Sequence, residues 1–179
     1  MKLATALIRL RPFYRQDRDL TLAWRNTPAI RDAAMGFRFP VTDVMEDRWF
    51  DRVLDGNDKS RVYFAIESVE DTTLIGFSSL VDIDYQSSNA QFGIMIGDTS
   101  RHKAGMGTDA LKLTLSFAFK SLNLNRVYVF VRERNIAASK LFSRLGFQQE
   151  GVLKEHYFVD GEREDVHVKA LLKRQFESK

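Results

Sequence analysis

At 179 residues, 44% apolar and 12% aromatic, the chain has the size of one compact domain over residues 1–179 and too apolar a composition for disorder. It contains no Cys, which excludes a disulfide framework, a thiol nucleophile and a cysteine-based zinc site, and no metal is expected. The net charge of +3 is spread among interspersed acids and bases, no apolar run reaches the roughly 18 residues of a membrane span, and Met1 to Arg11 lacks the features of a signal peptide. A cytoplasmic protein with neither nucleic acid nor membrane as partner is expected.

Leu7 to Arg11 alternates apolar and basic residues, the pattern of a half-buried first strand, and Pro12 ends it. Asp17 to Trp24 reads as a helix broken at Asn26 and Pro28. A second helix over Asp43 to Leu54 carries Trp49, Phe50 and Val53 on one face, and Gly56 lies in the turn that ends it. Val62 to Ile66 and Leu74 to Ile83 predict an antiparallel hairpin, and Ala90 to Ile96 another strand. After a polar loop, Thr108 to Phe119 places Leu111, Leu115 and Phe119 at helix spacing. Val127 to Val131 is a strand buried on both faces, and Ile136 to Leu145 a helix stopped at Gly146. Phe147 to Phe158 and Asp165 to Leu172 are two last strands joined at Asp160-Gly161. Strands and helices thus alternate along an α/β (α+β) chain.

The stretch from Gly97 to Thr108 joins a strand to an amphipathic helix. Gly105 and Gly107 let backbone N–H groups approach an anion at a helix start, the outline of a diphosphate cradle. A Walker loop needs Lys before the Ser or Thr, and Gly107-Thr108 has none. A dinucleotide fingerprint needs a third glycine directly after the strand. Further on, Asn135 caps a helix that closes with Leu145-Gly146-Phe147.

With Ile8-Arg9-Leu10-Arg11-Pro12, Leu74-Ile75-Gly76, Gln91-Phe92-Gly93-Ile94, Asn125-Arg126-Val127 and Glu150-Gly151-Val152-Leu153, these pieces fall in the order of the GNAT superfamily. The chain resembles its Rim-type branch of ribosomal-protein N-terminal, spermidine and amino-sugar acetyltransferases over nearly its whole length. The resemblance implies a mixed, mostly antiparallel sheet of six to seven strands, flanked by about four helices and splayed open between the strand ending near Gly97 and the strand Val127 to Val131. Acetyl-CoA is the implied cofactor, its pantetheine arm pairing with Ile94, Met95 and Ile96. Lys103, Ala104, Gly105, Met106, Gly107 and Thr108 would hold the diphosphate, Arg101, His102 and Lys103 would add charge, and Asn135, Ser139 and Phe142 would face the coenzyme. A homodimer is expected by the same analogy.

The Tyr that many relatives use to protonate the leaving thiolate falls on Phe142, and the frequent Glu falls on Gln91. Ser139, Ser143 or water are the remaining proton donors. Asp84 and Glu155, with Asp82, His156 and Asp165, are the candidates to take the amine's proton, and the Met95 or Ile96 amide to bind the oxyanion. Trp24, Arg25, Asn26, Phe37, Phe39, Trp49 and Tyr157 are expected around the acceptor. The Trp-Arg-Asn run resembles amino-sugar enzymes, and no acidic cluster marks a polyamine groove. The expected activity is acetyl transfer to a primary amine in a ternary complex, with a nucleotide-linked amino sugar as acceptor. A polyamine or peptide N-terminus is the alternative, and an inactive acetyl-CoA-binding module or a structural partner protein the remaining readings.

Overall fold

The alternation in the first strand is realised directly. In the computed structural model, which describes residues 3–33, 35, 39–99 and 105–178, β1 (Ile8–Arg11) buries Ile8 and Leu10 and exposes Arg9. It pairs antiparallel with β2 (Val62–Ser68), which pairs with β3 (Leu74–Asp84), which pairs with β4 (Asn89–Ile96). β5 (Arg126–Arg132) runs parallel to β4, and the hairpin of β6 (Gln148–Val159) and β7 (Glu162–Leu172) adds to it through β7. The seven-stranded sheet therefore has the order β1-β2-β3-β4-β5-β7-β6.

β7 starts three residues earlier than the pattern predicts, at Glu162 instead of Asp165. The cause is the turn: Asp160 and Gly161 both take positive φ, 50° and 81°, the two-residue geometry that matches strand twist and lets pairing begin at once. The polar run that follows hides the strand from a reading of apolar alternation.

Among the described residues six α-helices accompany the sheet, where the resemblance implies about four. The helix expected over Asp17 to Trp24 spans α1 (Arg18–Asn26), and Thr27 is an extended joint before α2 (Pro28–Ala33), where Pro28 fits the first helical turn because its missing N–H would have no partner there. α3 (Asp43–Asp55) is capped by Thr42 and closed by Gly56 in the left-handed region. α4 (Met106–Ser116) runs into a π-helical turn, Phe117–Ser121. α5 (Ile136–Arg144) follows β5, and α6 (Lys173–Glu177) ends the chain.

The two faces are dressed differently. Trp24, Ile30 and Phe50 of α1 to α3 pack on Ala65, Phe77 and Met95. On the other face α4 and α5 lay Leu111, Leu115 and Phe142 on Leu80, Phe92, Val127 and Val129. Each such side chain contributes about 1.5–3 kcal/mol when fully buried, more than any helix propensity, so packing fixes α4 and α5. Strand phase follows: Val127, Val129 and Val131 belong to the α5 face, so Tyr128, Phe130 and Arg132 belong to the α1–α3 face.

Candidate functional site

β4 and β5 pair only at Asn89 with Arg126, Ala90 with Val127 and Gln91 with Tyr128. Beyond Gln91, β4 keeps its register with β3 alone, so its other edge faces a gap whose backbone groups need a partner. The Gly97 and Asp98 amides both donate to the Ile75 carbonyl, at 2.9 and 3.1 Å, which holds the end of β4 to the β3 side. The Trp24 ring crosses Gly97 so closely that a Cβ there would lie 1.9 Å from Trp24 Cδ2. On the far side, β5 stays paired with β7 as far as Arg132. The strands diverge because each is held by its outer neighbour.

The gap opens into a cavity of about 760 Å³, lined by residues 91–96 of β4, 129–132 of β5, Gly107 of α4, Asn135 and Phe142 of α5, and Ile30, Ala33 and Met35 from the α2 side. At one end stands the start of α4. Gly105 adopts φ +82°, and a Cβ on Gly107 would project to 3.9 Å from Ile96 Cγ1. With no side chain at either position, the first amides of α4 stay open to an anion. A slot bordered by a strand edge that has parted from β5 and ending at a helix start fits a coenzyme with an amide-bearing arm and a diphosphate. Ile94, Met95, Ile96 and Gly107 line this cavity. Met106 is buried among Ile8, Ile66 and Ile75, and Thr108 lies half-buried on the first turn of α4. Arg101, His102, Lys103 and Ala104 lie outside the described residues, as does Phe37.

α5 divides its residues between two sides. Asn135 accepts from the Ala138 amide at 3.0 Å as N-cap and donates to the Ala33 carbonyl at 3.1 Å, bridging α5 and α2 across the cleft. Phe142 is buried edge-on against Phe92 and Phe147, and its ring brings no proton. Ser139 does not line the cavity. Its Oγ instead accepts from Lys169 Nζ at 2.8 Å, and the same ammonium donates to Ser143 Oγ at 3.1 Å. Lys169 is buried, which lowers its pKa. Both serines named as thiolate donors thus serve as acceptors for a buried lysine.

The two carboxylates favoured as bases lie elsewhere. Asp84 is exposed in the β3–β4 turn, where it accepts from the Gln86 and Ser87 amides at 2.8 Å each. The Ser87 hydrogen bonds hold its carboxyl below the usual range, so it is a weak base. Glu155 is exposed at positive φ in an irregularity of β6, its amide donating to Asp165. Asp165 is held by Lys154 at 2.6 Å, which lowers its pKa, and His156 is exposed. Asp82 sits in the β3 bulge close enough that its charge, after burial, pushes the Tyr128 phenol up.

Around the acceptor face, Trp24 backs the end of β4 and Tyr157 is buried beneath the guanidinium of Arg132, 4.8 Å from its ring centre. Arg25 stacks on Trp49 at 4.0 Å, with Nε 3.6 Å from the buried Glu46, and burial lowers its pKa. Asn26 ties α1 to Val41 through both side-chain atoms, 2.9 Å to the carbonyl and 2.8 Å from the amide, and Phe39 is exposed. Trp24, Arg25, Asn26, Phe39 and Tyr157, with Trp49 in its cluster of Phe13, Phe50 and Tyr63, all stand outside the cavity lining. A pair the sequence does not announce is Arg132, which lines the cavity, and Glu164, buried behind it and ion-paired to Arg132 Nε. The available signal is phase: Glu164 shares its strand face with Val166, Val168 and Ala170, an acid on an apolar stripe.

Among known proteins, the Acetyltransferase (GNAT) domain pattern matches residues 8–148. The uncharacterized N-acetyltransferase p20 of Bacillus licheniformis is 33% identical over 141 residues, 76% of this chain and 78% of that protein. A spermidine N(1)-acetyltransferase of Vibrio cholerae is 30% identical over 120 residues, 67% of this chain and 68% of its own. The crystal structure of spermidine N-acetyltransferase from Vibrio cholerae in complex with CoA and spermine superposes with a TM-score of 0.88 at 25% identity, covering 97% of this chain and 99% of that one. The sheet opened between β4 and β5, the glycine-lined start of α4 and these matches agree, and the chain belongs to the GNAT acetyltransferase family as an acetyl-CoA-dependent N-acetyltransferase.

Proposed function

We propose that the acceptor is a small primary amine, acetylated by direct attack within a ternary complex in the β4–β5 gap. The carrying observation is the loss of pairing between β4 and β5 after Gln91, which opens a cavity between the two strands that reaches both faces of the sheet. Acetyl-CoA supplies an activated acyl carbon. This chain supplies placement: the β4 edge over Ile94–Ile96 aligns the pantetheine arm, and the start of α4 holds the diphosphate. With phenylalanine at position 142, water protonates the leaving sulfur and receives the proton of the amine.

The Vibrio cholerae relatives, named for spermidine, support a small-amine acceptor. Nothing in them supports the nucleotide-linked amino sugar expected from the Trp-Arg-Asn run. The proposal includes a cytoplasmic homodimer, which light scattering on the purified protein checks. No helix among the described residues is long and apolar enough to cross a membrane.

The test is release of CoA from acetyl-CoA across monoamines, polyamines, amino sugars and N-terminal peptides. Turnover with one small-amine class supports the proposal. Turnover with peptides alone, or acetyl-CoA binding without turnover on any amine, refutes it. Ser139→Ala keeps its turnover if the Lys169 contact describes the role of that hydroxyl.

A further inference from the structure

The small-amine reading leaves the carbon body of the acceptor open, and one side chain of the cleft addresses it. Phe130 lines the cavity and is 36% exposed, whereas Phe92 and Phe142, which also line it, are buried against each other. A single apolar side chain on an open surface is ordinary, but one left uncovered inside a concave site offers contact area to a ligand. Tyr128 meets the Phe130 ring at 5.7 Å with the two planes nearly perpendicular, which steadies it against the wall.

Strand phase sets this ring on the α1–α3 face, away from the start of α4, and its neighbours there leave room. Two residues beyond the last paired row, Gln91 with Tyr128, Phe130 faces Gly93 across the gap. On its other side it pairs with Val168, which pairs in turn with Gly151, where an added Cβ would meet nothing within 4 Å. From α2, Ala29 and Ala33 line the cavity one turn apart on the same side of the helix, and half-buried Met35 adds an adaptable apolar chain. An open ring bordered by residues with little or no side chain forms a recess for a bulky apolar group. Each CH2 buried in it improves binding about fourfold, and a ring stacked on Phe130 adds about two- to tenfold.

We propose that the acceptor is a primary amine with a bulky apolar body, arylalkyl or branched alkyl, seated on Phe130 beneath α2 with its nitrogen turned to the gap. This rests on the amine-transfer reading above.

The test is steady-state CoA release with 2-phenylethylamine, 3-methylbutylamine, 2-methoxyethylamine and spermidine, with kcat/KM expressed on the neutral amine. One of the two apolar amines should exceed the other two acceptors by about tenfold or more. Phe130→Ala should bring that ratio to within about threefold, mostly through KM, with CoA affinity by calorimetry unchanged. Phe130→Leu keeps an apolar wall and should retain the preference over 2-methoxyethylamine. Spermidine or 2-methoxyethylamine as the best acceptor, or a ratio unchanged in Phe130→Ala, overturns the proposal. Loss of CoA affinity in both variants would give the ring to the coenzyme, and a changed oligomeric state with the ratio intact would give it to a contact between copies; either overturns it as well. If none of the four amines releases CoA, the transfer reading fails, and calorimetry of 2-phenylethylamine on CoA-saturated protein decides this one separately. Binding that Phe130→Ala loses upholds it, and equal heats in both proteins, or none in either, overturn it.

Discussion

Gly97 is where the acceptor-side helices meet the sheet, and Gly97→Ala tests that contact. The new Cβ would lie 1.9, 2.1 and 2.4 Å from three atoms of the Trp24 ring. Carbon atoms settle at about 3.5–4.0 Å, so the ring must retreat by roughly 1.5 Å. It has little room, being 8% exposed and packed among Ile30, Phe77 and Met95. Overpacking of this kind costs about 1–3 kcal/mol, against about 0.4–1 kcal/mol gained from a less flexible unfolded chain. A net loss near 1–2 kcal/mol lowers Tm by about 2–8 °C in a domain of this size. Urea denaturation of the wild type, Gly97→Ala, Trp24→Leu and the double variant measures the coupling. In the Trp24→Leu background the alanine should cost less than about 0.5 kcal/mol. An equal loss in both backgrounds would show that the ring is not what position 97 answers to.

Phe142→Tyr restores a hydroxyl where relatives carry one, and kcat for CoA release should rise about tenfold, with a new basic limb in the pH profile. An unchanged profile would mean that the sulfur leaves without an acid. Asn135→Ala loses both the cap and the bridge to Ala33 and should cost about 1 kcal/mol in thermal unfolding, whereas Asn135→Asp keeps the cap and most of that stability. Glu67 is pushed up by burial, but hydrogen bonds from Arg11 and Arg9 and their charges outweigh this and hold its pKa below the ordinary 4.5. Its stabilisation is complete above that value and disappears as pH falls through the lower, folded one. Stability measured from pH 6 to pH 3 should fall more steeply for the wild type than for Glu67→Gln, and parallel curves would contradict the assignment.

Local patterns made much of this molecule legible. The strands around Phe64, Phe77 and Phe92 and the glycines before α4 announce themselves by alternation and by residue type. The family order of Asn135, Gly146 and Phe147 placed the cleft. What stayed hidden depends on contacts between distant residues. Ser139 looks available until the fold brings Lys169 against it from 30 positions away, and Arg132 meets Glu164 across 32. Asp84 looks like a base until its turn closes on it. Neither periodicity nor motif order carries such information, because a side chain's partner is set by strand register and by which face of the helix turns inward.

The three residue pairs that join β4 to β5 also have a mechanical meaning. A continuous sheet passes load from strand to strand, but here the halves share one short seam and otherwise communicate through α2, α4 and α5. An amide-bearing arm lodged in the gap would act as a tie rod between them. Amide exchange along the Phe92–Ile96 edge, slowed on occupancy together with that of Val129–Val131 opposite, is the signature of such bracing.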